Sequence, residues 1–470
     1  MEKNTSDSNL RTWRETGLKY WRQIPTVLKA LATLVIALNA AWQLYTRVLS
    51  PSEIASASKS DHSTSLKEKE TLSASTKPTI AVLAFDNMSD DPKHEYLADG
   101  LAEEIINGLS KCPHITVIAR NSSFIYKGKP IKLQEIAKEL GVQNVLEGSL
   151  KKTGDKVRIT VQLIDAQTGR QIFSERYDRE MKDIQETLDV ITMRIIDAVQ
   201  VKLTAGEDAR LRSKGTKNLD AYLKLMHARQ LMLTQNKQGQ ALARQMIEEA
   251  IALDPGYGAA YAALCRVQLV QVSLGVFKNS QEALGEGLAL GQKSISLDDS
   301  NALAHAVVAV TYVWLREYDK AISEAEKAVS LDPNSAYAYH ALGSVLNWAG
   351  RSQESIPYFK MSLRLSPVPI DSTTLKIMGD AYRNLGQYEE AVNCYKKALQ
   401  IFGNDHIASH AGLAAVYAMM ERDKEAQAEA AEVLRLDPKF SGEFYTRRMP
   451  LRDTKIIDEL ISAYRRAGLP

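Results

Sequence analysis

Two histidines four residues apart form the pair in this sequence whose spacing best suits metal binding. On a helix, His406 and His410 would lie one above the other and could share an ion. No third ligand of a suitable type lies near them in the sequence, and His410 falls at a position where helices pack against each other. We therefore expect neither histidine to bind a metal, and we predict no catalytic residue and no cofactor for this chain.

The thiols give no sign of a metal site or a disulfide framework. Cys112, Cys265 and Cys394 lie far apart and include no Cys-x-x-Cys pair. We expect them to be small buried apolar side chains.

Three other segments look like ligand-binding loops but lack the necessary spacing. Gly285 to Gly291 has several glycines but no preceding strand, so we expect it to pack within a helix. Tyr126 to Pro130 holds two lysines in a turn, and Ser89 to Asp91 is acidic but too sparse for a calcium loop. Structural turns are the expected role of the last two.

Length and charge restrict the class of protein. The chain has 470 residues, of which 45% are apolar and 25% are charged, and this favours two or three folded domains. A net charge of +2 disfavours a general nucleic-acid binder.

An internal repeat occupies the C-terminal half. A Leu-Asp-Pro-like tripeptide begins at residues 253, 297, 331, 365, 401 and 436. This period of about 34 residues is typical of the tetratricopeptide repeat, a pair of antiparallel helices. We predict about six repeats over residues 219–439, with an insertion near Gly275 to Ser280. A capping segment over residues 440–470 should contain a helix from Asp453 to Gly468.

The inner face of such a solenoid is the predicted binding surface. First helices of the repeats present their side chains there to an extended or helical peptide. The register places the following candidate peptide-binding residues on that face: Trp314, Tyr337, His340, Asn347, Trp348, Lys376, Arg383 and Asn384. The alternative is that the tryptophans pack between repeats.

Residues 78–204 have the alternating strand and helix pattern of an α/β domain. The predicted strands are Thr79 to Phe85, Ile115 to Ile118, Asn144 to Leu150, Lys156 to Asp165 and Arg170 to Tyr177. The predicted helices are Tyr96 to Ser110, Leu133 to Leu140 and Ile184 to Leu203.

Within this region the strings LADGLAEEIINGLS, VIARNSSFIYKGKP and IAKELGVQNVLEGSLKKTGDKVRITVQLID resemble a known family. They are similar to the TolB-like amino-terminal domain of bacterial class III adenylate cyclase homologues and some regulators, over roughly Pro78 to Glu180. The resemblance implies a small α/β sandwich followed by tetratricopeptide repeats, as in the non-catalytic C-terminal region of those cyclases. About 28 residues precede the apolar segment here, so we expect neither a cyclase domain nor a winged helix.

An apolar segment near the N-terminus predicts a membrane anchor. Ala30 to Thr46 carries no charge, and we predict one transmembrane helix over residues 26–48. A signal peptide and an amphipathic surface helix are the alternatives. Basic residues before the segment predict a cytoplasmic tail over residues 1–25, an inner-membrane location and periplasmic C-terminal domains. Residues 49–77 have the composition of a disordered linker.

These features together favour a membrane-anchored scaffold or sensory protein that binds protein or peptide ligands in the cell envelope and does not bind nucleic acid. The alternative is a regulatory, non-catalytic adenylate cyclase-like component of cyclic-nucleotide signalling. A transcription regulator is disfavoured, because the N-terminal segment is too short for a DNA-binding domain.

Overall fold

The computed structural model describes residues 77–203, 215–233, 236–273, 276–277, 279–368, 372–402 and 405–470. The predicted tail, transmembrane helix and linker lie outside these residues and stay predictions. Within the part of the chain that the structure describes, no helix is both long enough and apolar enough to cross a membrane.

A mixed six-stranded sheet forms the first part of the described chain. Its strands are β1 (Thr79–Val82), β2 (Asp86–Asn87), β3 (Thr116–Val117), β4 (Asn144–Thr153), β5 (Lys156–Asp165) and β6 (Gln171–Glu180). The order is β3-β1-β4-β5-β6, and β2 also pairs with β4. Strands β1 to β4 pair in parallel, whereas β4, β5 and β6 form an antiparallel meander.

Helices cover both faces of this sheet because its parallel strands are apolar on both sides. The helices are α1 (Glu95–Ser110), α2 (Arg120–Ser123), α3 (Leu133–Leu140) and α4 (Ile184–Ala198). Ile80 and Val82 point to the cluster that contains α1 and α4, whereas Ala81 points to the cluster that contains α3. This alternation along β1 produces an α/β sandwich with two apolar layers.

The predicted elements are present, with some shifted ends. Strand β1 stops at Val82, after which Leu83 still donates its amide to the carbonyl of Leu146. Strand β6 runs on to Glu180, since its pairing with β5 continues to Lys156. Helix α4 ends at Ala198, earlier than the predicted Leu203, and Gln200 then adopts a left-handed backbone with φ 60°.

Twelve helices follow, in six antiparallel pairs, within the described residues between 219 and 436. The pairs are α5 (Leu219–Met232) with α6 (Lys237–Leu253), α7 (Gly258–Ser273) with α8 (Ser280–Leu297), α9 (Ala302–Trp314) with α10 (Tyr318–Leu331), α11 (Ala336–Trp348) with α12 (Ser352–Leu365), α13 (Ser372–Asn384) with α14 (Tyr388–Phe402), and α15 (Ile407–Met419) with α16 (Asp423–Leu436). Each pair packs on the next and forms a helical solenoid.

Glycine lets the two helices of a pair approach where an aromatic ring fills the other side. A Cβ atom on Gly343 would lie 2.8 Å from the ring of fully buried Phe359. A Cβ atom on Gly379 would likewise lie 2.8 Å from the ring of fully buried Tyr395. These contacts set the distance between the paired helices.

Two short helices close the C-terminal end of the solenoid. They are α17 (Gly442–Arg448) and α18 (Thr454–Ala467). Asp453 caps the N-terminus of α18 through a hydrogen bond to the amide of Lys455, and Gly468 ends it in the left-handed conformation with φ 90°. Helix α18 packs against α15 and α16, so it covers the apolar face that the last repeat would otherwise expose.

Candidate functional site

The first helices of successive repeats line the inner side of the solenoid. Helix α9 contacts both α7 and α11 directly, in addition to the second helices that lie between them. The predicted peptide-binding residues all belong to the first helices of the third, fourth and fifth repeats.

The two tryptophans of this set pack between repeats. The rings of Trp314 and Trp348 contact edge to face, with centroids 6.2 Å apart. Both side chains are half-buried and lie against the apolar clusters of neighbouring repeats. Their packing role is therefore established, while a role in ligand binding stays a prediction.

Tyr337 and His340 form a second aromatic group. Their rings stack with centroids 6.2 Å apart, and the guanidinium of Arg266 lies 5.0 Å from the centre of the Tyr337 ring. His340 Nδ1 is 2.8 Å from the hydroxyl oxygen of Thr374 in the next repeat. Both aromatic side chains are partly exposed, and a role in ligand binding stays a prediction.

Asn347 belongs to a buried polar group, which the partly exposed Asn384 joins through a hydrogen bond. Ser352 donates its hydroxyl to Asn347 Oδ1 at 2.7 Å, and Asn384 Nδ2 donates to the same oxygen at 3.2 Å. Asn347 is 0% exposed, so its amide cannot contact a ligand in this conformation.

Lys376 and Arg383 share the buried carboxylate of Asp380. Lys376 Nζ donates to Asp380 Oδ2 at 2.7 Å, and Arg383 Nη1 donates to Oδ1 at 2.9 Å. Tyr395 also donates its hydroxyl to Oδ1, at 2.8 Å. Burial alone would raise the pKa of Asp380, but the two cations hold it below its usual value. Arg383 is 4% exposed, so its guanidinium has no access to a partner in this conformation.

The other side chains considered for metal or anion binding have partners within the fold. His410 Nδ1 is 2.5 Å from Glu429 Oε2, and His406 Nδ1 is 2.7 Å from the hydroxyl of Ser409. Lys127 of the predicted turn pairs with Glu95 and Asp99. Within the ranges that the structure describes, no group of three or more His, Cys, Asp or Glu residues could hold a metal ion.

Family models for the tetratricopeptide repeat match residues 304–335 and 370–439. The helical pairs within these two ranges match the tetratricopeptide repeat. The sequence period therefore predicted the repeat type correctly in these ranges.

The chain is also similar to a protein of Rhizobium meliloti (strain 1021) that carries the provisional name adenylate cyclase 3. The two sequences are 42% identical over 245 residues, which is 52% of this chain and 42% of the relative. The chain thus spans less than half the length of that relative.

Among solved structures, the repeat protein YrrB is 20% identical, with a TM-score of 0.30 over 41% of this chain and 93% of its own. PilF of Pseudomonas aeruginosa is 18% identical, with a TM-score of 0.36 over 47% of this chain and 93% of its own. MamA of Desulfovibrio magneticus RS-1 is 19% identical, with a TM-score of 0.31 over 38% of this chain and 96% of its own. Nothing about ligands follows from similarity at this level.

The α/β domain docks on the loops that join one tetratricopeptide repeat to the next. Asn334 donates from Nδ2 to the carbonyls of Ser110 and Cys112 at 2.9 and 3.0 Å, and the amide of Val117 donates to its Oδ1 at 3.3 Å. One repeat further on, the amide of Ala119 donates to the carbonyl of Leu365 at 2.8 Å. The sequence pattern does not predict this interface, because a polar residue after Asp-Pro is typical of an ordinary turn.

The first repeat helix also completes the core of the α/β domain. Tyr222 and Met226 of α5 belong to the same apolar cluster as α1 and α4. A Cβ atom on Gly100 of α1 would lie 2.2 Å from the sulfur of Met226, so the methionine side chain would have to move if this residue were not glycine. The α/β domain and the repeats thus form one compact unit.

A cavity of about 320 Å³ lies between α1, α4 and the first helices of the repeats. Glu104 and Arg229 form an ion pair across it, and Arg229 is held charged because its pKa is raised by that partner despite burial. The hydroxyl of Tyr222 is buried there without a hydrogen-bond partner within the described part of the chain.

Proposed function

We propose that this protein is an interaction scaffold whose tetratricopeptide repeats bind a protein or peptide partner. The observation that carries the proposal is the array of repeats itself, since stacked helix pairs present an extended inner surface suited to peptides. Tyr337, His340 and the two tryptophans Trp314 and Trp348 keep partly exposed aromatic surface on that side. Rigid aromatic side chains of this kind are common anchors in interfaces.

Site-specific photo-crosslinking tests this function. A photoreactive residue at His340, on the inner helix α11, should capture a partner in the native host. The same residue at Glu326, exposed on the second helix α10, is the matched control and should capture none. Equal crosslinking at the two positions, or none at His340, would contradict binding on the inner side.

The finer proposal is a TolB-like α/β domain and repeat array held in the periplasm by an inner-membrane anchor. The uncharged segment from Ala30 to Thr46 and the basic residues before it support this location. The strings between Pro78 and Glu180 support the TolB-like assignment. A reporter fused after Pro470 should be active only if it is exported. Activity of a cytoplasm-specific reporter at the same position would overturn the location.

A second candidate is a regulatory component of cyclic-nucleotide signalling without catalytic activity of its own. The relative from Rhizobium meliloti, at 42% identity over 245 residues, is the observation that favours it. The test mixes the purified chain with ATP and a divalent cation, alone and with a cyclase from the same host. Formation of cyclic AMP by the chain alone would contradict a non-catalytic role, and a changed rate of the added cyclase would favour regulation.

A further inference from the structure

The two edges of the sheet differ in what covers them. At the β3 edge, the repeats supply a partner, since the amide of Val117 donates to Asn334 Oδ1 at 3.3 Å. At the opposite edge, β6 pairs with β5, and no other strand of the described chain lies beside it. The outer side of β6 therefore presents backbone amides and carbonyls with which a further strand can pair.

Strand β6 is long and regular enough to accept such a strand. It has 10 residues, whereas a usual strand has about 5–6. Its pairing with β5 shifts register only at the start, near Ile164, so residues 173–180 continue without interruption. It contains no proline. Short length, proline and bulges commonly protect an edge, but here the regular part of the strand relies on its charges alone.

The order of those charges selects the partner. In β6, the charged residues Glu175, Arg176, Asp178 and Arg179 alternate in sign around Tyr177. A second β6 strand can lie antiparallel with its tyrosine opposite Tyr177. This alignment places Glu175 opposite Arg179 of the copy, and Arg176 opposite Asp178 of the copy. Alignments centred on Arg176 or Asp178 would bring like charges face to face, which is unfavourable. The sequence of β6 thus complements itself in one alignment.

On the face of the sheet that the helices cover, this alignment agrees with the packing. Tyr177 lies in the apolar cluster of α1 and α4, and Glu175 and Arg179 share its face by alternation. Glu175 also binds Arg194 of α4 at 3.0 Å. Val190, one turn before Arg194, is 45% exposed. Helix α4 therefore offers apolar surface beside the same edge, and a second copy could bury it.

On the other face of the sheet, the charged side chains are accessible. Those of Arg176 and Asp178 are 62% and 50% exposed, and they lie 3.1 Å apart. Arg158 of β5 also binds Asp178, at 2.6 Å. A guanidinium from a second copy can still reach this carboxylate, because half of the side chain faces solvent. Complementary charges are therefore available on both faces.

We propose that two copies of this chain dimerise through their β6 strands, which pair antiparallel with Tyr177 on the two-fold axis. The six-stranded sheets then join into one continuous sheet across the interface. This pairing does not depend on peptide binding by the repeats. Since each copy carries one repeat array, the dimer presents two arrays, and a partner with two recognised segments would bind more tightly than a partner with one.

Charge reversal in the purified full chain tests the interface. Arg176→Asp places like charges opposite Asp178 of the copy, and Asp178→Arg does the same opposite Arg176. Analytical ultracentrifugation should show a reversible wild-type dimer, and each variant alone should have a dimer Kd at least tenfold higher. An equimolar mixture of the two variants should regain the wild-type Kd, because each variant supplies the charge that the other lacks.

The matched control reverses an exposed charge elsewhere. Arg435→Asp, on α16, breaks an exposed pair with Glu432 and should leave the dimer Kd unchanged. A wild-type chain that stays monomeric at its highest soluble concentration overturns the proposal. So does an equal effect of Arg176→Asp and Arg435→Asp, or a mixture of the two β6 variants that does not dimerise.

Cysteine crosslinking covers the case in which a charge variant does not fold. Residues directly opposite in an antiparallel pair have Cα atoms about 4.5–5.5 Å apart, which a disulfide can bridge. The native cysteines Cys112, Cys265 and Cys394 are buried. Mild oxidation of a mixture of Arg176→Cys and Asp178→Cys chains should therefore give a covalent dimer of the two.

The crosslinking control mixes Arg176→Cys with Arg435→Cys chains, which should not crosslink to each other. A wild-type dimer without the crosslink between positions 176 and 178 would show that the copies meet elsewhere, and would overturn the proposal. Partner capture at His340 is measured separately, so failure of the dimer leaves the scaffold function standing.

Discussion

Asn334 Nδ2 donates a hydrogen bond to the carbonyl oxygen of Ser110 across 224 residues of sequence, at 2.9 Å. The side chain of Asn334 is 7% exposed and makes three bonds to the α/β domain. One amide in the loop between two repeats therefore satisfies backbone groups of a different domain. These bonds fix the orientation in which the domain meets the solenoid.

Removal of this amide should loosen the interface. Asn334→Ala removes three hydrogen bonds to backbone groups of the α/β domain, and each buried group that water does not reach costs about 1–3 kcal/mol. We expect a lower unfolding midpoint in urea and faster hydrogen exchange at Val117. Lys439→Ala, at the equivalent and exposed position of the last repeat, should change neither quantity measurably. Equal effects of the two substitutions would contradict the assigned role.

Stability should depend on pH through Asp332. Burial raises the pKa of Asp332 from 3.8 to about 6, although the hydroxyl of Ser110 donates to the carboxylate. A raised pKa means that the folded state binds the proton more tightly. The contribution of Asp332 to the stability of the fold is therefore fully present below about pH 4 and is lost as the pH rises through about 6.

Asp332→Asn should remove that dependence, since the amide stays neutral. The thermal midpoint of the variant should match that of the wild type at pH 4 and exceed it at pH 7.5. Asp437→Asn serves as the control, because Asp437 makes the same turn in the last repeat, where it accepts the amide of Lys439 at 3.0 Å. A midpoint of Asp332→Asn below that of the wild type at pH 7.5 would show that the carboxylate is needed in its charged form.

Loss of the Asp380 carboxylate should be costly. Asp380→Ala leaves the guanidinium of Arg383 buried without its acid, and breaking a buried pair in this way costs about 3–5 kcal/mol. Chemical denaturation should show a correspondingly lower free energy of unfolding. Glu354→Ala breaks an exposed pair with Arg351 and should change this free energy by less than about 1 kcal/mol. A small effect at Asp380 would mean that the network relaxes or admits water.

Two glycine-to-alanine substitutions in helices should change the stability of the fold in opposite directions. Gly379→Ala places a methyl group against the ring of Tyr395 and should destabilise the fold by about 1–3 kcal/mol. Gly285→Ala adds a methyl group in open space within α8 and should stabilise it by up to about 1 kcal/mol. Thermal unfolding of both variants measures the difference. Stabilisation by Gly379→Ala would show that the paired helices can move apart.

Local chemistry made many of these elements predictable. Helix α3 and strand β5 have the bounds that the periodicity predicts, because each has one apolar face and clear ends. The length of α4 was overestimated, since apolar residues continue past the point where Gln200 turns the chain. Periodicity reports burial and cannot distinguish a helix from a coil that packs on the same core.

The burial of the predicted binding residues could not be predicted from sequence periodicity in the same way. Helical register places Asn347 and Arg383 on the first helices, but register does not reveal that both side chains are buried and bind other side chains of the repeats. Asp380 lies three residues before Arg383 and could have been paired with it from the sequence. The burial that makes this pair internal depends on Tyr395, twelve residues beyond Arg383 in the second helix.

The sequence by itself determined the repeat array, its period and the alternating pattern of the α/β domain, because these follow from the placement of apolar residues within one element or its neighbours. The tertiary structure alone decided that Asn334 docks the α/β domain and that Arg316 holds the C-terminal segment. Both contacts join backbone carbonyls to side chains more than 100 residues away. A carbonyl group is present at almost every residue, so no residue type marks which one a distant donor will reach.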